Sequence, residues 1–164
     1  MTTYFNIEEC NKIINFSSEL KQVVRDDSDR GISYTFWSIG NNYKYRWIFD
    51  RFDRYLEESQ NVKVTSQIDV IHLFKYTSGN AFTRHSDIYY TGQAYNVGTN
   101  LTDDYEGGDF LLYNPDLTLE KSRGKLYSFY HTREHEVTMI TSGVRWSLIG
   151  FYFYDNIDKT RPLL

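Results

Sequence analysis

The 164-residue chain has a single cysteine, Cys10, and two prolines. One cysteine excludes an intramolecular disulfide, and a lone thiol fits a reducing compartment. Cys10 itself falls in a helical stripe and reads as a small core residue. With so little proline and no block of like charges, the chain does not read as disordered. No stretch approaches the roughly 18 apolar residues that a membrane-spanning helix needs. Residues 1–6 lack a basic segment followed by an apolar run, so no secretory signal is expected. Basic residues are also in the minority, 18 against 22 acidic ones, for a formal charge of -4. That balance makes nucleic acid an unlikely general partner, although it leaves room for a local basic groove. The expected location is cytoplasmic, without a membrane partner. The frequency of Asn, Tyr, Ile and Asp suits an AT-rich genome, such as that of a virus or phage acting in a host cytoplasm.

What the chain has in quantity is aromatic residues: 15 Tyr, 11 Phe and 3 Trp. Its length suits one domain with a real core, taken as 1–164. Asn6 is a helix N-cap, followed by Glu8 and Glu9 in the first turn. Ile7, Cys10, Ile13, Ile14, Leu20, Val23 and Val24 then recur at helical spacing, which predicts a helix running up to the acidic residues 26–29. Residues 31–39 read as a strand. A second amphipathic helix follows Gly40-Asn41-Asn42, with Tyr43, Trp47, Ile48, Phe52, Tyr55 and Leu56 on one side. From about Val62 the pattern turns to strands. A long run over 62–76 precedes strands at 82–88, 96–101, 109–113, 125–130, 135–141 and 144–154. The expected fold is α+β, mainly β: a double-stranded β-helix, or jelly roll, over 61–157, with a layer of two supporting helices over 1–60.

Against this frame three residues stand out. His85-Ser86-Asp87 places an imidazole and a carboxylate two residues apart, on one face if the segment is a strand. A second imidazole comes with His135-Glu136-Val137, at the start of a later strand. Two His and one carboxylate, with the other positions open, form the facial triad of non-haem Fe(II) oxygenases. A lone His is more often structural, and His72, with no carboxylate two residues on, is read so. His131 rivals His135 as third ligand, but His135 leads directly into its strand. Arg145 begins an otherwise apolar strand, where a guanidinium must find an anion or reach water. Arg145, Ser147, Ile149 and Phe151 alternate onto one face. The guanidinium could clasp a carboxylate bidentately, with the Ser147 hydroxyl adding a donor.

These residues, in this order, resemble the Fe(II)/2-oxoglutarate-dependent dioxygenases of the prolyl 4-hydroxylase-like group, near the small bacterial PKHD-type hydroxylases. The likeness runs from Ile71 to Tyr154. It takes in Tyr76-Thr77-Ser78-Gly79, His85-Ser86-Asp87, Tyr105-Glu106-Gly107-Gly108-Asp109-Phe110, His135-Glu136-Val137 and Ser142-Gly143-Val144-Arg145. The resemblance implies that His85, Asp87 and His135 bind Fe(II). It implies that Arg145, helped by Ser147, holds the far carboxylate of 2-oxoglutarate, and that Tyr76 contacts this co-substrate. Gly107 and Gly108 would serve a tight turn. In related halogenases a small residue replaces the carboxylate, so Asp87 favours hydroxylation. The reaction implied consumes O2, with ascorbate as a further cofactor, and releases succinate and CO2.

Substrate choice is less legible. Residues 88–99 read as a lid or rim, where Tyr89, Tyr90, Tyr95 and Gln93 could meet a ring or a peptide and Gly92 and Gly98 could hinge. A prolyl residue of a peptide or protein is expected by analogy with the group. A free amino acid, small metabolite or nucleobase is the alternative. Two readings of another kind remain: a different metal enzyme on a similar barrel, and a non-catalytic jelly-roll binding module.

Overall fold

The computed structural model describes residues 4–87 and 92–158. Helix α1 (Ile7–Asn15) starts at Asn6, whose side chain accepts from the Glu9 N–H at 2.8 Å while the Glu9 carboxylate accepts from the Asn6 N–H at 2.9 Å. This reciprocal pair satisfies two donors that a helix start leaves open. Cys10 and Ile13 are buried beneath it. The helix is shorter than its apolar stripe predicts. A 3-10 turn over Phe16–Ser18 ends it, and strand β1 (Gln22–Asp27) follows. Val23 and Val24 are exposed on that strand. Their helical spacing is therefore coincidental; they pair with Phe36 and Thr35 of β2 (Ile32–Gly40). The predicted strand at 31–39 is this β2. Helix α2 (Arg46–Gln60) buries Ile48, Phe49, Phe52 and Leu56. Tyr43, expected on the same face, lies in the preceding turn and is 92% exposed.

The later strands are β3 (Lys63–Val64), β4 (Val70–Tyr76), β5 (Ala81–His85), β6 (Gln93–Asn100), β7 (Glu106–Gly107) and β8 (Phe110–Leu112). They continue with β9 (Leu117–Thr118), β10 (Leu126–Tyr130), β11 (His135–Val137), β12 (Ile140–Ser142), β13 (Arg145–Phe153) and β14 (Ile157–Asp158). The expected run at 62–76 is thus two strands, β3 and β4. The main sheet has the order β10-β6-β13-β4-β2-β5-β11-β8-β9, with β1 alongside β2. Its pairings are antiparallel. The sheet curls at β2, which pairs with β4 over Thr35–Gly40 and with β5 through Ile32 and Ser33. The result is the mainly β jelly roll with two supporting helices. The helical layer is interrupted, because β1 and β2 belong to the sheet. Among the described residues no helix is long and apolar enough to cross a membrane.

The period-two alternation of strands separates two cores. Leu148 and Tyr152 of β13 face the helices with Phe49, Phe52 and Leu56. Tyr34, Tyr76, Phe110, Phe129 and Val137 face the inside of the curl. The turn expected at Gly107-Gly108 is present, with φ of 69° and 62°. A Cβ on Gly107 would lie 2.1 Å from the Met139 carbonyl oxygen, across the β7–β12 pair. Gly107→Ala combines left-handed backbone cost with overpacking, together about 2–4 kcal/mol. The expected result in a thermal scan is a Tm lower by roughly 4 °C or more. An unchanged Tm would mean that this turn relaxes freely.

Candidate metal centre and anion pocket

The two imidazoles reach one point because β5 and β11 are neighbours. His85 ends β5, His135 begins β11, and the two are register partners with rings 4.2 Å apart. Asp87 arrives differently from the expected strand face. It lies beyond the end of β5, where its N–H donates to the His131 carbonyl at 3.2 Å. Its carboxylate turns back between the rings. Asp87 Oδ1 is 3.6 Å from His85 Nε2, and Asp87 Oδ2 is 3.7 Å from His135 Nε2. One ligand atom from each residue lies within 4.8 Å of the others.

Both rings are held from behind. His85 Nδ1 sits 2.7 Å from the Thr83 carbonyl oxygen, and His135 Nδ1 sits 3.0 Å from that of Arg133. A carbonyl only accepts, so each Nδ1 carries a proton and each Nε2 is the nitrogen turned toward the carboxylate. Outer partners of this kind orient metal-binding imidazoles. Burial pushes the His135 pKa below the usual imidazole range, against the pull of the Asp87 carboxylate. The neutral ring is the form that binds metal.

The other two histidines lie outside this group. His131 Nδ1 is 3.2 Å from the Ala94 carbonyl oxygen, and its ring packs on Tyr130. Its contribution is the backbone carbonyl that takes the Asp87 N–H. His72 has Nδ1 3.2 Å from Ser38 Oγ and packs among Phe36, Phe74 and Phe151. Burial lowers its pKa as well.

Arg145 opens β13 opposite Tyr76 of β4 and is 2% exposed. Its Nη1 donates to Ser147 Oγ at 2.9 Å, and its guanidinium carbon lies 5.2 Å from the centre of the Tyr76 ring. Arg145 Nε is buried without a hydrogen-bond partner. Among the described residues no acidic side chain forms an ion pair with it. Burying a cation without a counter-ion costs several kcal/mol, a cost that an anion entering this pocket would relieve. Burial raises the Tyr76 phenol pKa and pushes that of Tyr127 up to about 12, both against the pull of Arg145. The two phenols are therefore neutral groups beside the guanidinium.

A cavity of about 50 Å³ joins the His85–Asp87–His135 group to Arg145, Ser147 and Tyr76. Its remaining wall is mostly apolar, including Phe74, Phe110, Phe129, Val137, Ile149 and Phe151. The alternation expected for Arg145, Ser147, Ile149 and Phe151 is therefore present, all four facing this space. The expected lid needs correction. Tyr89 and Tyr90 lie outside the described residues. Gln93 and Tyr95 are buried in β6 rather than on a rim. Gly98 is no hinge: a Cβ there would meet the Tyr127 hydroxyl at 2.6 Å and Ile149 Cδ1 at 2.7 Å.

Sequence reasoning missed Asn96, whose Nδ2 donates to Asp87 Oδ2 at 2.5 Å. It also misread Gln93, whose Nε2 donates to Asn96 Oδ1 at 2.5 Å. The structure places Asn96 in register with Phe151 and Phe129, both inward-facing, a pairing the sequence does not display.

Residues 71–153 match the family model of the 2OG-Fe(II) oxygenase superfamily. A search of curated proteins by sequence returned no match. Among solved structures, an oxidoreductase of the 2OG-Fe(II) oxygenase family from Burkholderia pseudomallei is similar with a TM-score of 0.77 and 15% identity, over 93% of this chain and 82% of that one. A Pseudomonas putida prolyl-4-hydroxylase gives 0.69 and 14%, over 93% and 90%. A prolyl hydroxylase from Trichoplax adhaerens, in complex with a hypoxia inducible factor oxygen degradation domain peptide fragment, gives 0.69 and 18%, over 88% and 76%. At these identities the likeness to solved structures is one of fold.

Proposed function

The chain belongs to the 2OG-Fe(II) oxygenase superfamily, and from that premise we propose that it hydroxylates a prolyl residue of a peptide or protein. One oxygen of O2 enters the C–H bond as hydroxyl; the other enters succinate as 2-oxoglutarate loses CO2. As a 2-oxoglutarate-dependent dioxygenase the protein uses Fe(II) and 2-oxoglutarate. His85, Asp87 and His135 are the residues that would hold the iron, and their donor set of two neutral imidazoles and one carboxylate fits it. Bound iron supplies the activation of O2 toward an unactivated C–H bond. Arg145 would anchor the far carboxylate of 2-oxoglutarate, with Ser147 and Tyr76 beside it. The apolar wall keeps bulk water from the reacting atoms.

The observation that carries the co-substrate assignment is the buried guanidinium of Arg145, with an unpartnered Nε and no ion pair among the described residues, in the same cavity as the three ligands. The prolyl assignment is supported by the rest of that cavity. Beyond the triad and Arg145, its described lining has no charged side chain. A free amino acid would bring an ammonium and a carboxylate to be paired, whereas a prolyl residue within a chain brings an uncharged ring. The peptide held by the Trichoplax prolyl hydroxylase points the same way by analogy.

The test is succinate formation with proline-containing peptides and with free amino acids, Fe(II) and 2-oxoglutarate present. The expected result is succinate matched by hydroxyproline in a peptide. Faster turnover of a free amino acid would overturn the prolyl reading and leave the oxygenase assignment intact.

A further inference from the structure

Gln93, Asn96 and Asp87 form a buried relay. Gln93 Nε2 donates to Asn96 Oδ1, and Asn96 Nδ2 donates to Asp87 Oδ2, both at 2.5 Å. Gln93 and Asn96 are each 1% exposed. Buried amides are costly unless hydrogen-bonded, and the Asn96 side chain has both its oxygen and its NH2 group engaged, by Gln93 and by Asp87.

The topology gives the relay its significance. His85 and His135 hang on the paired strands β5 and β11, which fix them. Asp87 lies past the end of β5 and has no strand ladder to fix it. Asn96 and Gln93 sit on β6, in the other half of the curled sheet. The Asn96–Asp87 hydrogen bond therefore spans the two halves. The backbone repeats the connection: Asp87 N–H donates to the His131 carbonyl, and His131 N–H donates to the Ala94 carbonyl on β6 at 2.9 Å. Both the side chain and the main chain of Asp87 are thus referenced to β6, not to the strand that carries it.

We propose that Asn96, oriented by Gln93, is the positioning residue that makes Asp87 a single-oxygen ligand. Asn96 engages Oδ2, which lies 3.7 Å from His135 Nε2, and leaves Oδ1, 3.6 Å from His85 Nε2, as the oxygen offered to the metal. The inference rests on reading His85, Asp87 and His135 as the Fe(II) ligands. An ionised carboxylate can only accept hydrogen bonds, so Asn96 must present its NH2 group and not its oxygen. Gln93 complements that choice by donating to the Asn96 oxygen, while its own Oε1 is buried without a hydrogen-bond partner. A hydrogen bond to one oxygen biases a carboxylate toward taking one position on a metal. With both oxygens free it could take two, at the expense of the positions that co-substrate and O2 require.

The test measures anaerobic Fe(II) affinity and the visible charge-transfer band of the Fe(II)·2-oxoglutarate chelate. The variants are Asn96→Leu, Gln93→Leu and the double variant. Asn96→Leu is expected to weaken Fe(II) binding roughly 10–100-fold, as losing an outer partner does, and to shift the band. Gln93→Leu should move both readouts the same way by less. The double variant should match Asn96→Leu alone, because Gln93 acts through Asn96. A lower Tm with affinity and band unmoved would make these residues packing only and overturn the proposal; so would additive effects. If Asn96→Leu does not fold, Gln93→Leu decides. It removes the donor to Asn96 Oδ1, so an unmoved band and affinity would overturn the relay. A parent protein that binds Fe(II) but forms no band with 2-oxoglutarate is a separate outcome. It would overturn the site reading itself.

Discussion

Arg145→Met is expected to weaken 2-oxoglutarate binding about a hundredfold or more while Fe(II) affinity changes only a few-fold. Arg145 is buried, has an unpartnered Nε, and forms no ion pair among the described residues. Removing one member of a buried charge pair costs about 3–5 kcal/mol, which corresponds to roughly a hundredfold or more in Kd. The metal ligands come from other strands, so the iron site should survive. The same variant carries a second, less obvious expectation. Without co-substrate, the protein already bears the cost of an uncompensated cation. Methionine removes that cost and fills much of the same space. The variant without 2-oxoglutarate should therefore be at least as stable as the parent. Adding 2-oxoglutarate should raise the parent's Tm by mass action, and the variant's hardly at all. Arg145→Lys keeps the charge but loses the planar fork that matches a carboxylate, so it should fall between the two. Calorimetric titration and thermal scans check both expectations. Equal loss of Fe(II) and 2-oxoglutarate binding would defeat the division of roles between Arg145 and the triad.

The histidines, aspartate and arginine of the candidate site were legible in the sequence because their chemistry sets them apart from their surroundings. A charged residue opening an apolar strand, or an imidazole two residues from a carboxylate, is visible without coordinates. The β-rich second half was legible through its alternation, and β13 shows this best: Arg145, Ser147, Ile149 and Phe151 all face the cavity. The first helix was over-extended because Val23 and Val24 continue its stripe by coincidence, and their exposure on β1 has no signature in spacing. The expected lid over 88–99 fails for residues 93–99, which belong to β6. Gln93, Asn96, Thr99 and Asn100 look like surface residues, yet each is buried in β6. Two of them find partners outside their own strand, Asp87 for Asn96 and the Lys125 carbonyl for Thr99. Amphipathic patterning records which residues avoid water. It does not record which polar groups find one another across a closed sheet.

Asp87→Ala is expected to abolish turnover and to reduce Fe(II) affinity by more than the roughly 10–100-fold that loss of an outer partner costs. The substitution removes the anionic ligand and leaves two neutral imidazoles. Its effect on the fold should be modest. Asp87 lies outside any strand, and its loss leaves the Asn96 NH2 group buried without its acceptor, a cost of about 1–3 kcal/mol. That is smaller than the roughly 5–15 kcal/mol by which a domain is usually stable. The variant should stay folded with a Tm lower by a few degrees, so lost turnover would report on the site and not on unfolding. Asp87→Glu separates charge from geometry. It keeps the carboxylate but extends it past Asn96, so it should retain more Fe(II) than Asp87→Ala and still fail to form the parental charge-transfer band. If Asp87→Ala instead bound Fe(II) with parental affinity, the metal would have to be held by a different set of residues, and the convergence of Asp87 with His85 and His135 would need another explanation.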